Sequence, residues 1–299
     1  MACLLGVAAS MLLPAVAAAD PHVLVLGCVS DDPKADYDEL KPLLDYIVPR
    51  MADVGIREGR VLMARDMQQM RSYLRRGRVD WVTGSVTTGL QLQARAGAMP
   101  LLLTERNGLS HDRTVFFVRR DSSIGSLRDL RGHSIAFKDA ASPDAYFVPA
   151  MELLQQDASL QRLLSPMDHP DGKSIGFVLG GSQLNVVTWV SHGLVDAGAM
   201  GQAPFNDPAT TPPSLRAAFR VVGTSEPYPL ALEVSRSDLD PRVRRKLREL
   251  LLAAAADPDA REALLQFSTT TRFLPIDTAD DATLARLRAG IARVRAEVE

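Results

Sequence analysis

Short, nearly uninterrupted apolar runs alternate with amphipathic stretches along most of this chain, and that alternation restricts its fold more than any other feature. His22 to Gly27 (HVLVLG) has the length and composition of a buried parallel strand. Tyr37 to Val54 follows, with Leu40, Leu43, Leu44, Ile47 and Met51 on one helical face. Val61 to Ala64 reads as a strand, Met67 to Arg76 as a helix closed by Gly77, and Val79 to Thr83 (VDWVT) as a third strand. Ser85 to Ala96 is helical, and Met99 to Thr104 is a strand again. Strands separated by helices imply a mostly parallel sheet covered on both faces, an α/β class.

Thr114 to Arg119 (TVFFVR) is another strand, and a polar break follows it. A second alternating block then begins. It has helix Ser126 to Leu130, strand His133 to Phe137, a helix opening at Ser142, and a strand near Ile175 to Leu179. Helix Ser182 to His192 and strand Val195 to Met200 complete it. After a loop rich in Pro and Thr, Phe219 to Gly223 and Leu230 to Val234 read as strands. The tail is helical, with Asp240-Pro241 and Asp257-Pro258 as cap and first-turn pairs. No repeat of fixed short period is present, but two such blocks suggest two similar α/β lobes.

With 299 residues, 46% of them hydrophobic and 23% charged, the chain is long enough for two lobes of ordinary size. A net charge of −2 and the lack of a basic run point away from nucleic acid and from membrane surfaces. Met1 to Ala19 carries no charge and ends in Ala17-Ala18-Ala19, as a cleaved export signal does, although no Lys or Arg precedes its apolar run. Cleavage is expected near Ala19, giving a periplasmic protein without membrane insertion. Cys3 would leave with the signal, so Cys28 is expected to end the first strand as a small buried thiol without a disulfide. The five histidines show no metal-ligand spacing, and neither a nucleophile elbow nor a Walker loop occurs. Ser182, in GGSQL, reads as a helix cap rather than a nucleophile. The chain is expected not to be an enzyme, and neither a cofactor nor a metal is implied.

Three stretches carry a family resemblance. RRDSSIGSLRDLRGHSIAFKD (Arg119 to Asp139), GSQLNVVTWVSHGLVDAGAM (Gly181 to Met200) and TSEPYPLALEVSRSDLDPRVRRKLRELL (Thr224 to Leu251) stand in a characteristic order and spacing. With them the chain resembles the periplasmic substrate-binding proteins of phosphate, phosphite and phosphonate ABC transporters. The resemblance implies a type 2 periplasmic-binding-protein-like clam-shell of two lobes, with two strands crossing at the hinge, at Thr114 to Arg119 and at Leu230 to Val234. Its divisions would be a signal over 1–19, lobe one over 20–115, lobe two over 116–228, and a return to lobe one over 229–299. It implies a small polar or oxyanion-type ligand held at helix N-termini between the lobes. The partner would be an ABC-transporter permease or, alternatively, a membrane sensor that the protein signals to. A second alternative is an enzyme on the same fold.

The departures from the family pattern fall on the ligand shell. The family's lobe-two anion loop reads Asp-Pro-x-Ser-Thr-Ser-Gly with a later Pro. Asp139, Ser142 and Pro149 match it, whereas Pro143, Asp144 and Ala145 replace the Thr, the second Ser and the Gly. Gln183 stands where the family has a His beside Ser182. At the lobe-one helix start Gly84 matches, while Ser85 replaces a Pro and Thr88 an aromatic residue. The implied clamp is Ser142, Ser182 and Gln183 from lobe two and Ser85, Thr87 and Thr88 from lobe one. Ser225 and Glu226 lie near the cleft mouth. Tyr146 either lines the cleft or is buried beneath it, and Trp81 and Trp189 are expected in cores. For each polar residue the plainer reading is a helix cap or a loop residue. Asp144 in a first helical turn favours the helix dipole, yet it opposes a bound anion.

Overall fold

The computed structural model describes residues 20–298, so the expected export segment lies outside the described residues. The chain opens with β1 (Val23–Val29), α1 (Pro33–Ile47), β2 (Glu58–Ala64), α2 (Met67–Arg75), β3 (Trp81–Val82), α3 (Val86–Ala96) and β4 (Met99–Arg106). A two-residue strand β5 (His111–Asp112) leads to β6 (Thr114–Arg119) and β7 (Ser134–Phe137). Next come α4 (Val148–Gln155), β8 (Leu160–Arg162), β9 (Ile175–Leu179), α5 (Gln183–Ser191) and β10 (Ala197–Gly201). Two short helices, α6 (Gln202–Asn206) and α7 (Pro213–Ala217), precede β11 (Phe219–Thr224) and the two-residue β12 (Tyr228–Pro229). The chain ends with β13 (Ala231–Ser235), α8 (Pro241–Ala254), α9 (Arg261–Gln266), β14 (Thr270–Leu274) and α10 (Thr278–Glu297).

These strands form two six-stranded sheets, one per lobe. Lobe one has the order β14-β4-β13-β3-β1-β2 and lobe two the order β11-β6-β10-β7-β9-β8. The strands that alternate with helices pair in parallel, β1 with β2 and β3, and β7 with β9 and β10. β13 and β6 run antiparallel to their neighbours, because each enters its sheet from the other lobe.

A local echo confirms that the lobes are built alike. Gly77 and Gly193, both at φ 67°, end α2 and α5, and each is followed two and three residues later by Val-Asp. Such a left-handed position suits glycine because it lacks a Cβ. In both cases the next amide bonds back five residues, Arg78 to Tyr73 and Leu194 to Trp189. In both cases the aspartate then accepts an amide of the neighbouring strand: Asp80 takes Val25 N–H at 2.8 Å, and Asp196 takes Ser134 N–H at 2.8 Å. Asp80 also pairs with Arg236 at 2.7 Å. Tied in this way at its start, β3 has ladder pairs only over Trp81–Val82, shorter than the five residues expected.

The sequence places most elements correctly and the hinge one step away. Thr114–Arg119 and Leu230–Val234 were expected as the crossings, but both segments belong to sheets: β6 has five consecutive buried residues, and β13 is buried throughout. Such strands need neighbours on both sides, which a crossing lacks. The passage between lobes is made by β5 and β12. These pair antiparallel, Asp112 with Tyr228 and His111 with Pro229. Ser225 N–H to Thr114 O (2.9 Å) and Leu230 N–H to Ser110 O (2.9 Å) extend this ribbon at both ends. A further difference is in α1, which starts at Pro33, capped by Asp32, and tightens into a 3-10 segment over Val48–Val54 before Gly55. Cys28 is half-buried and free. Trp81 is fully buried, whereas Trp189 is half-buried against the lobe-two core.

Each lobe has its own core. Leu24, Leu26, Leu43, Leu44, Trp81 and Phe267 anchor one in lobe one, and Phe117, Val186, Val190 and Phe219 anchor one in lobe two. A third core spans both lobes, because α10 lies across them. Leu287, Ile291 and Val294 of α10 meet Leu90 of α3 as well as Phe147 and Met151 at α4.

Candidate functional site

The crossings join the C-terminal ends of the parallel strands of one lobe to those of the other. β4 ends at Arg106, the ribbon passes over, and β6 begins at Thr114, opposite Gly201 at the end of β10. The cleft is therefore bounded by the strand ends where open α/β sheets bind ligands. On the lobe-one side Thr83 N–H bonds Gly27 O, and α3 starts at Ser85 beside Ala231. On the lobe-two side the chain after β7 turns into α4, and the chain after β9 turns into α5. Cavities of about 360 Å³ (around Asp20, Arg60 and Arg78) and 340 Å³ (around Asp20, Val54 and Arg242) open on the opposite edge of lobe one. One of about 330 Å³ lies beside the hinge, at His111, Asp112, Gln202 and Pro227.

The lobe-two loop is a π-helical turn, Pro143–Phe147, running into α4. Two prolines account for it. Pro143 sets the first turn without a donor. Pro149 cannot bond Ala145 O, and that carbonyl accepts Lys138 N–H instead, at 3.0 Å. Ala145 sits at φ −123°, which any residue adopts, so the glycine of the family pattern is not needed here.

The Asp144 side chain folds back onto its own lobe. Its carboxylate accepts from Ser142 Oγ at 2.7 Å, from the Gly201 N–H at 3.0 Å and from Gln183 Nε2 at 3.5 Å. Ser142 also caps the turn by accepting Ala145 N–H. Three of the residues expected around the ligand, Ser142, Asp144 and Gln183, are thus brought together, but by bonds to each other. Gly201 fits between two acids. A Cβ there would stand 2.6 Å from an Asp112 oxygen and 3.0 Å from an Asp144 oxygen.

Asp112, on the hinge strand, accepts from Arg113 and Ala203 N–H groups. Burial pushes its carboxyl above the usual range, those backbone bonds pull it down, and the Asp144 charge pushes it up again. Among the described residues neither Asp112 nor Asp144 has an ion-pair partner. Below them Tyr228 is fully buried with its hydroxyl 3.1 Å from Thr114 Oγ1, and burial raises it well above an ordinary tyrosine.

The remaining expected residues divide by position. Ser85 caps α3, and its hydroxyl lies 3.1 Å from those of Thr87 and Thr88, forming one cluster at the lobe-one helix start. Thr87 is fully buried. Ser182 caps α5 through Asn185 N–H. Ser225 is buried in the hinge, where its hydroxyl accepts Thr114 N–H, and Glu226 is exposed. Ala145 and Tyr146 lie beneath the turn, with Tyr146 packed among Phe137, Phe147 and Phe177.

Sequence reasoning missed Asp112, the Gly201 amide, Ser30 and Arg106, all on the cleft edges. A backbone N–H leaves no residue signature, and Asp112 stood outside every motif. Ser30 ends an apolar run just before a helix cap, which is a usable signal. Among the described residues, no group of His, Cys, Asp or Glu could hold a metal, and no helix is long and apolar enough to cross a membrane.

Residues 26–281 match the family model described as ABC transporter, phosphonate, periplasmic substrate-binding protein. Among solved structures, the chain is similar to XAC2383 from Xanthomonas citri bound to chloride ion. The identity is 48%, the TM-score is 0.86, and the match covers 93% of this chain and 100% of that one. A structure of the same Xanthomonas citri protein bound to ATP matches at 47% identity, with the same TM-score and coverage. PhnD1 from Prochlorococcus marinus, in complex with methylphosphonate, shares the fold at 18% identity and TM-score 0.61, over 92% of this chain and 99% of that one.

Proposed function

The chain belongs to the periplasmic substrate-binding proteins of phosphonate ABC transporters, and from that premise we propose that it is exported, closes its lobes on a small polar ligand, and delivers that ligand to a transporter. The ligand lies between Ser85 and Thr88 on one side and Ser142, Ser182 and Gln183 on the other. The observation that carries the reading beyond the family is the position of Asp144. Its carboxylate already occupies the lobe-two donors that an oxyanion would use. A like-charge pair about 4 Å apart costs roughly 4 kcal/mol at an effective dielectric near 20. The helix-dipole contribution, about 0.3–1 kcal/mol, does not offset that. Bare phosphate and simple alkylphosphonates therefore bind weakly, and a ligand presenting an amine or hydroxyl to lobe two is favoured. The ATP bound by the Xanthomonas citri relative puts nucleoside triphosphates in the same screen.

Calorimetric titration of phosphate, methylphosphonate, 2-aminoethylphosphonate and ATP into the wild type and Asp144→Ser tests this. Methylphosphonate should gain roughly tenfold or more in the variant. Tight methylphosphonate binding by the wild type, unchanged by Asp144→Ser at neutral pH, would sink the reading. The internal anion also supports a second reading, in which the clam-shell reports to a membrane sensor rather than a permease. Co-purification with one or the other from a membrane extract separates the two.

A further inference from the structure

Among the described residues, two buried polar atoms on the cleft edge of lobe one have no hydrogen-bond partner. Ser30 continues β1, and its N–H bonds Ala64 O at 2.9 Å. Its hydroxyl is shut off from solvent, the residue being 6% exposed, and has no hydrogen-bond partner among the described residues. Arg106 ends β4. Its Nε is likewise shut off and unbonded, and the guanidinium forms no ion pair among the described residues. Leaving a buried donor unbonded is costly, and such groups in native proteins usually await water, an ion or a ligand.

Both residues belong to the same face of the sheet. Along β1, side chains alternate, and Leu24, Leu26 and half-buried Cys28 pack toward α1, so Ser30 continues that set. Two residues before Arg106, Thr104 donates to Glu233, whose other oxygen takes the indole N–H of Trp81 on that face. Arg106 is close enough to Cys28 and Glu233 for its charge to lower both pKa values against the burial that raises them. Asp36 and Glu39 of α1 also act on Cys28, and neither pairs with Arg106. Beyond lobe one, Asp112 of the hinge and Asp144 of lobe two have no ion-pair partner among the described residues, and neither does the exposed Arg113 beside Asp112.

We infer that Ser30 and Arg106 form an anion subsite on lobe one, and that the ligand is dipolar, its oxyanion end bonded to lobe one and its donor end facing Asp144 and Asp112. This rests on the reading that the ligand binds between the lobes. It places the anion on the lobe opposite the helix-start loop whose donors Asp144 has taken.

Calorimetry with ATP, inorganic phosphate and sulfate on folded variants, checked by thermal melting, tests the subsite. Arg106→Gln should weaken ATP roughly tenfold to a hundredfold, and Ser30→Ala about threefold. Arg106→Lys should restore part of the loss, because it returns the charge without the planar fork. Adenosine should bind all of them alike, and Arg60→Gln, on the opposite edge of the lobe, should leave ATP unchanged. If Ser85→Ala and Ser182→Ala weaken ATP while Arg106→Gln and Ser30→Ala do not, the subsite is wrong and the cleft reading stands. If none of the four changes ATP binding, the cleft reading falls with it. The absence of binding heat from ATP, phosphate and sulfate alike, with folded wild type, would also overturn the subsite.

Discussion

Glu233 shows how much a single residue can hold in this protein. It is fully buried in the lobe-one sheet, and its two oxygens take Trp81 Nε1 at 2.6 Å, Thr83 Oγ1 at 2.9 Å and Thr104 Oγ1 at 2.7 Å. These donors come from β4 and from β3 with the residue that follows it, so the carboxylate on β13 fastens three strands at the level of the cleft. Glu233→Ala strands them in an apolar interior and should cost about 3 kcal/mol or more. Urea unfolding should show a lower midpoint with an unchanged slope. A loss below about 0.5 kcal/mol would mean that the donors find other acceptors and that the network is not a fastening. Sequence pattern could not have found this residue, since a lone Glu in an apolar run looks like an outward-facing position. Asp144 was legible as an intruder in an anion loop. Where it points was not, because it is fixed by the amide of Gly201, 57 positions away in sequence and silent in composition.

At the level of elements, legibility followed length and periodicity. β6 and β9 match their expected bounds, and α5 sits between the expected caps Ser182 and His192. β5 and β12 did not register, since two residues carry no period, and so the hinge was assigned to the strands beside it. The contact between α4 and α10 was also invisible, because it depends on how a C-terminal helix folds back. There Glu152 of α4 is largely buried, with one oxygen unbonded and 4.0 Å from an Arg286 nitrogen. Burial raises its pKa above the ordinary 4.5, the Arg286 charge lowers it, and the Glu226 charge raises it again. The net shift is upward, so the fold prefers the neutral acid. The resulting penalty grows as pH climbs past 4.5 and is complete above the folded value. Glu152→Gln should therefore melt higher than wild type at pH 7, and its advantage should vanish below about pH 4. A variant that melts lower at pH 7 would show that the Arg286 attraction outweighs burial.

For the molecule as a whole, two lobes with separate cores are joined by a ribbon of two-residue strands and covered on one side by α10, whose apolar face is shared between them. The alternating blocks made the two-lobe plan legible, and the Gly-x-Val-Asp echo was its local trace. The line along which the lobes move could not be read, because it depends on contacts between distant segments. The shared core near α10 is continuous and resists separation, while among the described residues no comparable core joins the lobes on the opposite side. Opening should therefore be a rotation about the ribbon with α10 on the hinge side, each lobe remaining rigid. A ligand that bonds both lips favours the closed form by the difference in its affinity for the two states. Small-angle scattering of the ligand-free protein should give a radius of gyration above the roughly 19 Å of a compact chain of this size. Saturating ATP, with occupancy verified by calorimetry, should bring it down toward that value. Arg106→Gln at the same ATP concentration should remain near the ligand-free value, and should compact only when the concentration is raised to offset its weaker binding. An unchanged radius in the wild type at verified saturation would rule out closure as the event that signals occupancy. The two lips would then have to hold their ligand in a preformed cleft.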